Sequence, residues 1–280
     1  LCRSQSIPSK GRGLFRGSRE APLRATIRAM QPLKCPPRLI FGEEEVLLDG
    51  EVFERGKILK KDFFSTNVLL HREGQTFVMK ISHFNFYLGR FFRPVARYLS
   101  QRESEIYRRL QGLDGIPYLW PAVGRNFFLH EYIEGKELTD YPVAPPEFFD
   151  KLLKVVRSVH KRGVGYADLS KRSNVIVTPD GDPFLIDFQI SAATRPRIEG
   201  LRLLNNWLVR IIQREDLYHV AKHKRKLAPG EMTEEDWSRV RKSPFSQLHK
   251  FLLRKPWLLI KRRIYPKGSD EMRKKTQSMS

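Results

Sequence analysis

The chain has 280 residues, 40% apolar, 11% aromatic and 30% charged, with a formal net charge of +21. That is enough length and apolar content to bury one sizeable core, or two lobes sharing one. Two cysteines exclude a disulfide-stapled miniprotein, and no apolar run reaches the roughly 18–20 residues of a membrane-spanning helix.

The basicity is carried by both ends. Residues 1–38 hold nine Lys/Arg against Glu20 alone, and residues 239–280 hold thirteen against two acids. The 200 residues between them carry 30 basic and 28 acidic side chains, so the body is close to neutral. Basic ends suit an anionic membrane surface or RNA rather than nucleic acid wrapped over the main domain. Cys2 and Cys35 fall in a segment rich in Arg, Ser, Gly and Pro with no apolar period. Residues 1–38 are therefore expected to be a disordered basic extension in a reducing, cytoplasmic setting, with peripheral contact to the inner face of a membrane. The same composition also suits an organellar transit peptide, and Met30 offers a later start.

From about 46 to 82 the pattern predicts three short strands, VLLDGEVFERGKIL, NVLLHREG and TFVMKIS, the last two joined by a tight turn at HREG. Residues 95–111 predict a helix with Val95, Leu99, Ile106 and Leu110 on its period. A strand follows at 126–133 (NFFLHEYI), then an amphipathic helix at 147–162 stopped by Gly163. Two apolar pieces, NVIV and PFLID, are joined by the turn TPDGD. The domain is expected to span 39–235, with lobes at about 45–130 and 135–235, and a basic helical extension over 236–280.

Four polar features stand in a fixed order along these elements. Lys80 sits in the β-pattern FVMKIS, where a charge among apolar residues needs a reason. Glu103, or Glu105 two residues on, lies on the next helix and could pair with it. YADLSKRSNVIV places Asp168 just after a helix with Asn174 six residues on, and Asp187 follows the apolar run FLI. One lysine for phosphate, one base, and Asn plus Asp for Mg²⁺ are the functional parts of phosphoryl transfer. Taken singly, a lysine in a strand is usually a solvated edge and an aspartate after a strand usually a turn residue.

In this order the residues resemble the protein-kinase-like superfamily, nearest to its atypical RIO-type and bacterial lipopolysaccharide-core kinase-like branches, over roughly residues 50–225. The resemblance implies an α+β, two-lobed protein-kinase-like fold: a small antiparallel β-sheet N-lobe above a reduced helical C-lobe. It implies ATP and Mg²⁺ as cofactors and transfer of the γ-phosphoryl group to a hydroxyl. A protein serine or threonine is the nominal acceptor. The alternatives are a sugar or glycolipid hydroxyl, or a nucleotide-binding pseudokinase scaffold.

Carried residue by residue, the resemblance makes STNV the phosphate-binding hairpin tip, with Ser65, Thr66 and Asn67. It makes Lys80 the strand lysine and Glu103 its partner, and it places adenine on the backbone of Glu131 and Ile133 in LHEYIEGKEL. Asp168 is then the catalytic base and Lys171 a neutralising cation, with Asn174 and Asp187 as metal ligands. The chain departs from the usual pattern at several points. The hairpin tip has no glycine, Tyr166-Ala167 stands for His-Arg, and Asp187-Phe188-Gln189 replaces Asp-Phe-Gly. No Ala-Pro-Glu follows, and only some 90 residues remain after Asp187.

Two further features lie outside that constellation. Asp216, His219 and His223 fall at i, i+3 and i+7 and could mimic a metal set, although such residues are more often core anchors. The stretch SQLHKFLLRKPWLLIKRRIY mixes Leu, Trp and Ile with Lys and Arg, which suits either core packing or an anionic membrane surface.

Overall fold

The computed structural model describes residues 39–61, 65–83, 93–121, 123–194 and 199–240. The N-terminal extension and residues 241–280, with the Leu/Trp/Lys/Arg stretch, lie outside the described residues. The chain divides into two compact units, 1–229 and 230–280.

The first unit begins with six antiparallel strands in sequence order: β1 (Leu39–Phe41), β2 (Glu45–Leu48), β3 (Glu51–Lys61), β4 (Ser65–Arg72), β5 (Gln75–Ser82) and β6 (Phe127–Glu131). The stretch read as one strand at 46–59 is two, because Asp49 (φ 55°) and Gly50 (φ 90°) make a two-residue hairpin turn. Glu73 (φ 51°) and Gly74 (φ 74°) do the same between β4 and β5. Positive φ at both central residues matches the twist of the flanking strands, and Asp-Gly is a favoured pair for it.

Period-2 alternation then sorts the side chains onto two faces. Phe53, Phe77, Met79 and Leu129 enter one core with Trp120. Phe53, Phe77 and Trp120 meet edge-to-face at centroid distances of 5.1–6.0 Å. Phe128, one residue before Leu129, belongs to the other core. Lys80 is the cross-strand partner of Phe128, so its side chain leaves the sheet on that second face.

Helix α1 (Arg93–Leu110) connects β5 to the segment before β6. Its buried stripe is Ser100, Glu103, Ser104 and Tyr107, with Ile106 and Leu110 beside it. Val95, expected on the apolar face, is 44% exposed, and Leu99 is half-buried. The apolar pattern misplaces this face because the part of the helix nearest the sheet lysine is polar.

Beyond β6 come β7 (Lys136–Glu137), α2 (Phe148–Lys161), β8 (Val164–Gly165), β9 (Val175–Val177), β10 (Pro183–Leu185), β11 (Ala192–Ala193) and α3 (Glu199–Leu227). Strands β10, β9 and β7 form a small sheet, and β8 pairs with β11. On α2, Phe148, Phe149, Leu152, Val155, Val156 and Val159 are buried at helical spacing, forming the centre of the second core with Tyr166, Leu185, Phe188 and Val220. In the second unit, α4 (Glu234–Val240) opens with a reciprocal cap: the Asp236 amide donates to the Thr233 hydroxyl, and the Thr233 amide to Asp236 Oδ2. This helix spans the boundary expected at 235/236.

Truncating Phe149 to alanine should lower stability by about 3–5 kcal/mol, as for other large-to-small changes in a packed core. Leu203→Ala, at a site 75% exposed, should stay within about 0.5 kcal/mol. Chemical denaturation of the two variants beside the parent checks the pair.

Candidate active site

Lys80 Nζ lies 2.8 Å from Glu103 Oε1 and 2.7 Å from Asp187 Oδ1. The Lys80 and Glu103 side chains are almost wholly buried, while Asp187 keeps 24% exposure. The open choice between Glu103 and Glu105 is thereby settled in favour of Glu103. Burial alone would lower the lysine's pKa, but the two carboxylates more than offset it and hold the ammonium above its ordinary value. Burial likewise pushes Glu103 up, to about 7, with Lys80 opposing and Asp187 reinforcing. At Asp187, burial works against ionisation, but Lys80, then Lys60 and Lys171, outweigh it and hold the carboxyl below its usual range.

Asp168 is buried, and both of its side-chain hydrogen bonds fall on Oδ2: Lys171 Nζ at 2.6 Å and Asn174 Nδ2 at 2.8 Å. The Lys171 amide also closes a turn on the Asp168 carbonyl at 3.2 Å, and a single 3₁₀ turn carries Arg172 to Asn174. Ile186 N donates to Asn174 O at 3.1 Å, tying this loop to the strand end that leads into Asp187. Ala167 (φ 69°) and Asp187 (φ 63°) both occupy the left-handed region, which non-glycine residues adopt at a cost of about 1–3 kcal/mol when held there.

Three residues hold this backbone that the sequence reading did not place in the site. Asp216, on α3, accepts the amides of Tyr166 (2.8 Å) and Ala167 (2.9 Å) and receives His160 Nε2 at 3.0 Å. It is therefore the core anchor that the residue pattern favoured over a metal ligand. Among the described residues no group of three or more His, Cys, Asp or Glu is placed to hold a metal ion. The Tyr166 hydroxyl donates to Ile186 O, and the Tyr107 hydroxyl accepts the Asp187 amide at 3.3 Å. The Phe188 ring sits edge-on between the two tyrosines, at 4.9 and 5.0 Å. In the sequence Tyr166 stood out as the replacement for the usual histidine and Asp216 as a core anchor, while Tyr107 carried no signal.

The phosphate-side residues are placed differently from expectation. Ser65, Thr66 and Asn67 are not tip residues: they are the first three of β4, paired with Ser82, Ile81 and Lys80. Asn67 therefore stands beside Lys80 on the same face, between it and Lys60 of β3, and its Oδ1 is buried without a hydrogen bond. Ser65 shares that face by strand period. Thr66 points the other way, its hydroxyl 2.7 Å from His83 Nε2.

At the end of β6, the Glu131 amide already donates to Tyr118 O at 2.8 Å. The Glu131 carbonyl accepts from His130 Nδ1 at 2.8 Å. Burial drives the His130 pKa down to about 4, which keeps the ring neutral. Ile133 lies two residues beyond the strand and is half-buried.

No protein-family model matches the chain, and no curated protein is similar to it in sequence. Among solved structures it is similar to the Rio2 kinase–ADP/Mg²⁺–phosphoaspartate complex from Chaetomium thermophilum, with a TM-score of 0.46 and 14% identity. The likeness covers 68% of this chain and 62% of that one. The first unit is a mixed α+β arrangement, with a six-stranded antiparallel sheet and a helix whose glutamate meets the sheet lysine.

Two outcomes follow from this geometry. Asp216→Ala leaves two backbone amides without their acceptor and should lower stability by about 2–4 kcal/mol, read by chemical denaturation. Glu103 has a folded pKa above its unfolded one, so the native state binds more protons and stability falls as pH rises from 4.5 to about 7. Relative to Glu103→Gln, the parent should lose up to about 3 kcal/mol across that window. Equal slopes in the two proteins would disprove the assignment, and the difference cancels the opposite contribution of His130.

Proposed function

We propose that this protein is an ATP- and Mg²⁺-dependent phosphotransferase that moves the γ-phosphoryl group of ATP to a hydroxyl. The observation that carries the reading is the Lys80 ammonium held at 2.7–2.8 Å between Glu103 and Asp187, with Asp168 and Asn174 on the adjoining loop. A point cation aimed from a sheet at a partly exposed carboxylate suits phosphate oxygens bridged by a metal.

The donor set fits Mg²⁺. Asp187 presents a partly exposed carboxylate. Asn174 spends its amide nitrogen on Asp168, which turns its amide oxygen elsewhere. One carboxylate and one amide oxygen, completed by phosphate oxygens and water, is the ligand pattern Mg²⁺ favours. When bound, the ion neutralises charge on the phosphates.

Lys80 and Lys60 face the phosphates from the sheet, and Asn67 between them offers a side-chain amide where glycine-rich tips offer backbone N–H groups. The Glu131 carbonyl and the Ile133 amide serve adenine. Asp168 orients the acceptor hydroxyl through Oδ1, since Oδ2 is occupied. It takes the proton as the acceptor oxygen bonds to the γ-phosphorus and the bond to the bridging oxygen breaks, releasing ADP. Lys171 offsets the charge that builds up beside it. A protein serine or threonine and a sugar hydroxyl are equivalent at this carboxylate, because it engages only the O–H.

Transfer of label from γ-labelled ATP in the presence of Mg²⁺ tests the reading. The intact protein should transfer label, and Asp168→Ala and Asp187→Ala should each fall by at least about 10²-fold. Retained nucleotide binding with no transfer by the intact protein would instead identify a pseudokinase scaffold.

A further inference from the structure

A second concave site flanks the loop that carries Asp168. It is a pocket of about 450 Å³ lined by Arg172, Lys222, His223, Arg225 and Lys226. Arg172 opens the 3₁₀ turn that ends at Asn174. The other four come from the last turns of α3, where Lys222, Arg225 and Lys226 fall at i, i+3 and i+4 and so share one face. His223 fastens the two walls together: it is buried, and its Nε2 lies 2.8 Å from Leu169 O, the residue after Asp168.

Basic residues at a helix C-terminus are ordinary, because they complement the helix dipole. Lys224 has such a bland role, with its ammonium turned away to Asp150 at 3.4 Å. The remaining basic residues instead converge with an arginine from a different element. Their convergence is visible at His223, whose pKa is lowered first by burial and then by Lys222, Arg172 and Lys226 acting on one ring. Arg172, Arg225 and Lys226 meet at one cavity, and the two arginines offer planar forks that match phosphate oxygens.

We propose that this pocket holds a phosphate group of the acceptor itself, so that the substrate is a phosphorylated sugar or polyol, free or as a lipid headgroup. The proposal rests on the phosphotransferase reading for the hydroxyl that reacts, but not for the anion site. Arg172 is four residues from Asp168, and four residues span at most about 14 Å even when fully extended. The turn at Lys171 shortens that path. A phosphate anchored here therefore puts a hydroxyl of the same small molecule within reach of the carboxylate. A half-open pocket of about 450 Å³ with five lining residues suits a small molecule, whereas an acidic peptide would need an extended groove.

Two measurements test it. Calorimetric titration of the full chain with inorganic phosphate, without nucleotide, should show binding that weakens at least about 10-fold in Arg225→Gln/Lys226→Gln and in Arg172→Gln. Arg225 and Lys226 are exposed helix positions, so the double variant keeps its fold. Undiminished binding in both variants, or no binding to the parent, overturns the site, whatever the outcome with ATP. Label transfer is then compared across hexose monophosphates, the unphosphorylated hexoses, vesicles of phosphatidylcholine with phosphatidylinositol 4-phosphate, and an acidic protein. Transfer to the soluble or the vesicle phosphate alone, lost in the pocket variants, identifies the source of the group. Equal transfer to unphosphorylated hexose, or pocket-dependent transfer to the acidic protein, overturns the acceptor assignment. No transfer to any acceptor sinks the phosphotransfer reading and the acceptor role with it, leaving the phosphate titration to decide the site.

Discussion

One ammonium shared by two carboxylates joins three parts of the first unit that are far apart in sequence. Lys80 comes from the sheet, Glu103 from α1 and Asp187 from the segment after β10. The trio carries one positive and two negative charges in a largely buried place, an arrangement that stability alone does not select. Removing ions from water is expensive, and apolar replacements for a buried ion pair are often neutral or stabilising. The imbalance is expressed at Glu103, where burial drives the pKa toward neutrality, while Asp187 stays ionised and partly exposed. The excess negative charge thus lies at the one member of the trio that solvent can reach. That is where a hard cation would be useful.

The loop opposite is organised by a different constraint, the accounting of backbone hydrogen bonds. Tyr166 and Ala167 turn through a left-handed residue just before Asp168, which leaves two consecutive amides without a secondary-structure partner. Buried amides must find acceptors, and one carboxylate, Asp216, supplies both. The Tyr166 hydroxyl then reaches Ile186 O, and Tyr107 reaches the Asp187 amide, so the second left-handed residue is held as well. The strain at Ala167 and Asp187 persists because side chains from α1 and α3 fix the backbone from outside.

Much of this was legible in the residues. A lysine between Met79 and Ile81 in a strand, a glutamate on the following helix, and Asp168, Asn174 and Asp187 in order are local patterns, and the structure gathers them. Where reading left a choice open or failed, the deciding information was not local. Glu103 and Glu105 are separated by about 200° around a helix, and only the packing of α1 chooses between them. The apolar period put Val95 on the inner face because the real inner face contains Ser100, Glu103 and Ser104. STNV resembles a turn until its register with Ser82, Ile81 and Lys80 puts its residues in β4. Asp216 lies some fifty residues from the amides it accepts, and no spacing rule connects them.

The same turn serves both halves of the proposed reaction. Arg172 and Asn174 are the ends of one 3₁₀ turn, two residues apart. Asn174 reaches Asp168 through its side chain and Ile186 through its carbonyl, while Arg172 lines the basic pocket with the end of α3. Helix α3 braces the loop twice, through Asp216 beneath Tyr166 and Ala167 and through His223 on Leu169. A substrate anion held by Arg172 and Arg225 would therefore bridge the two elements that carry and brace the Asp168 loop. The near-neutral charge of the body conceals this, because the cations of the pocket are balanced across the sequence by acids that lie elsewhere. Net charge along a chain says little about a site that two distant segments build together.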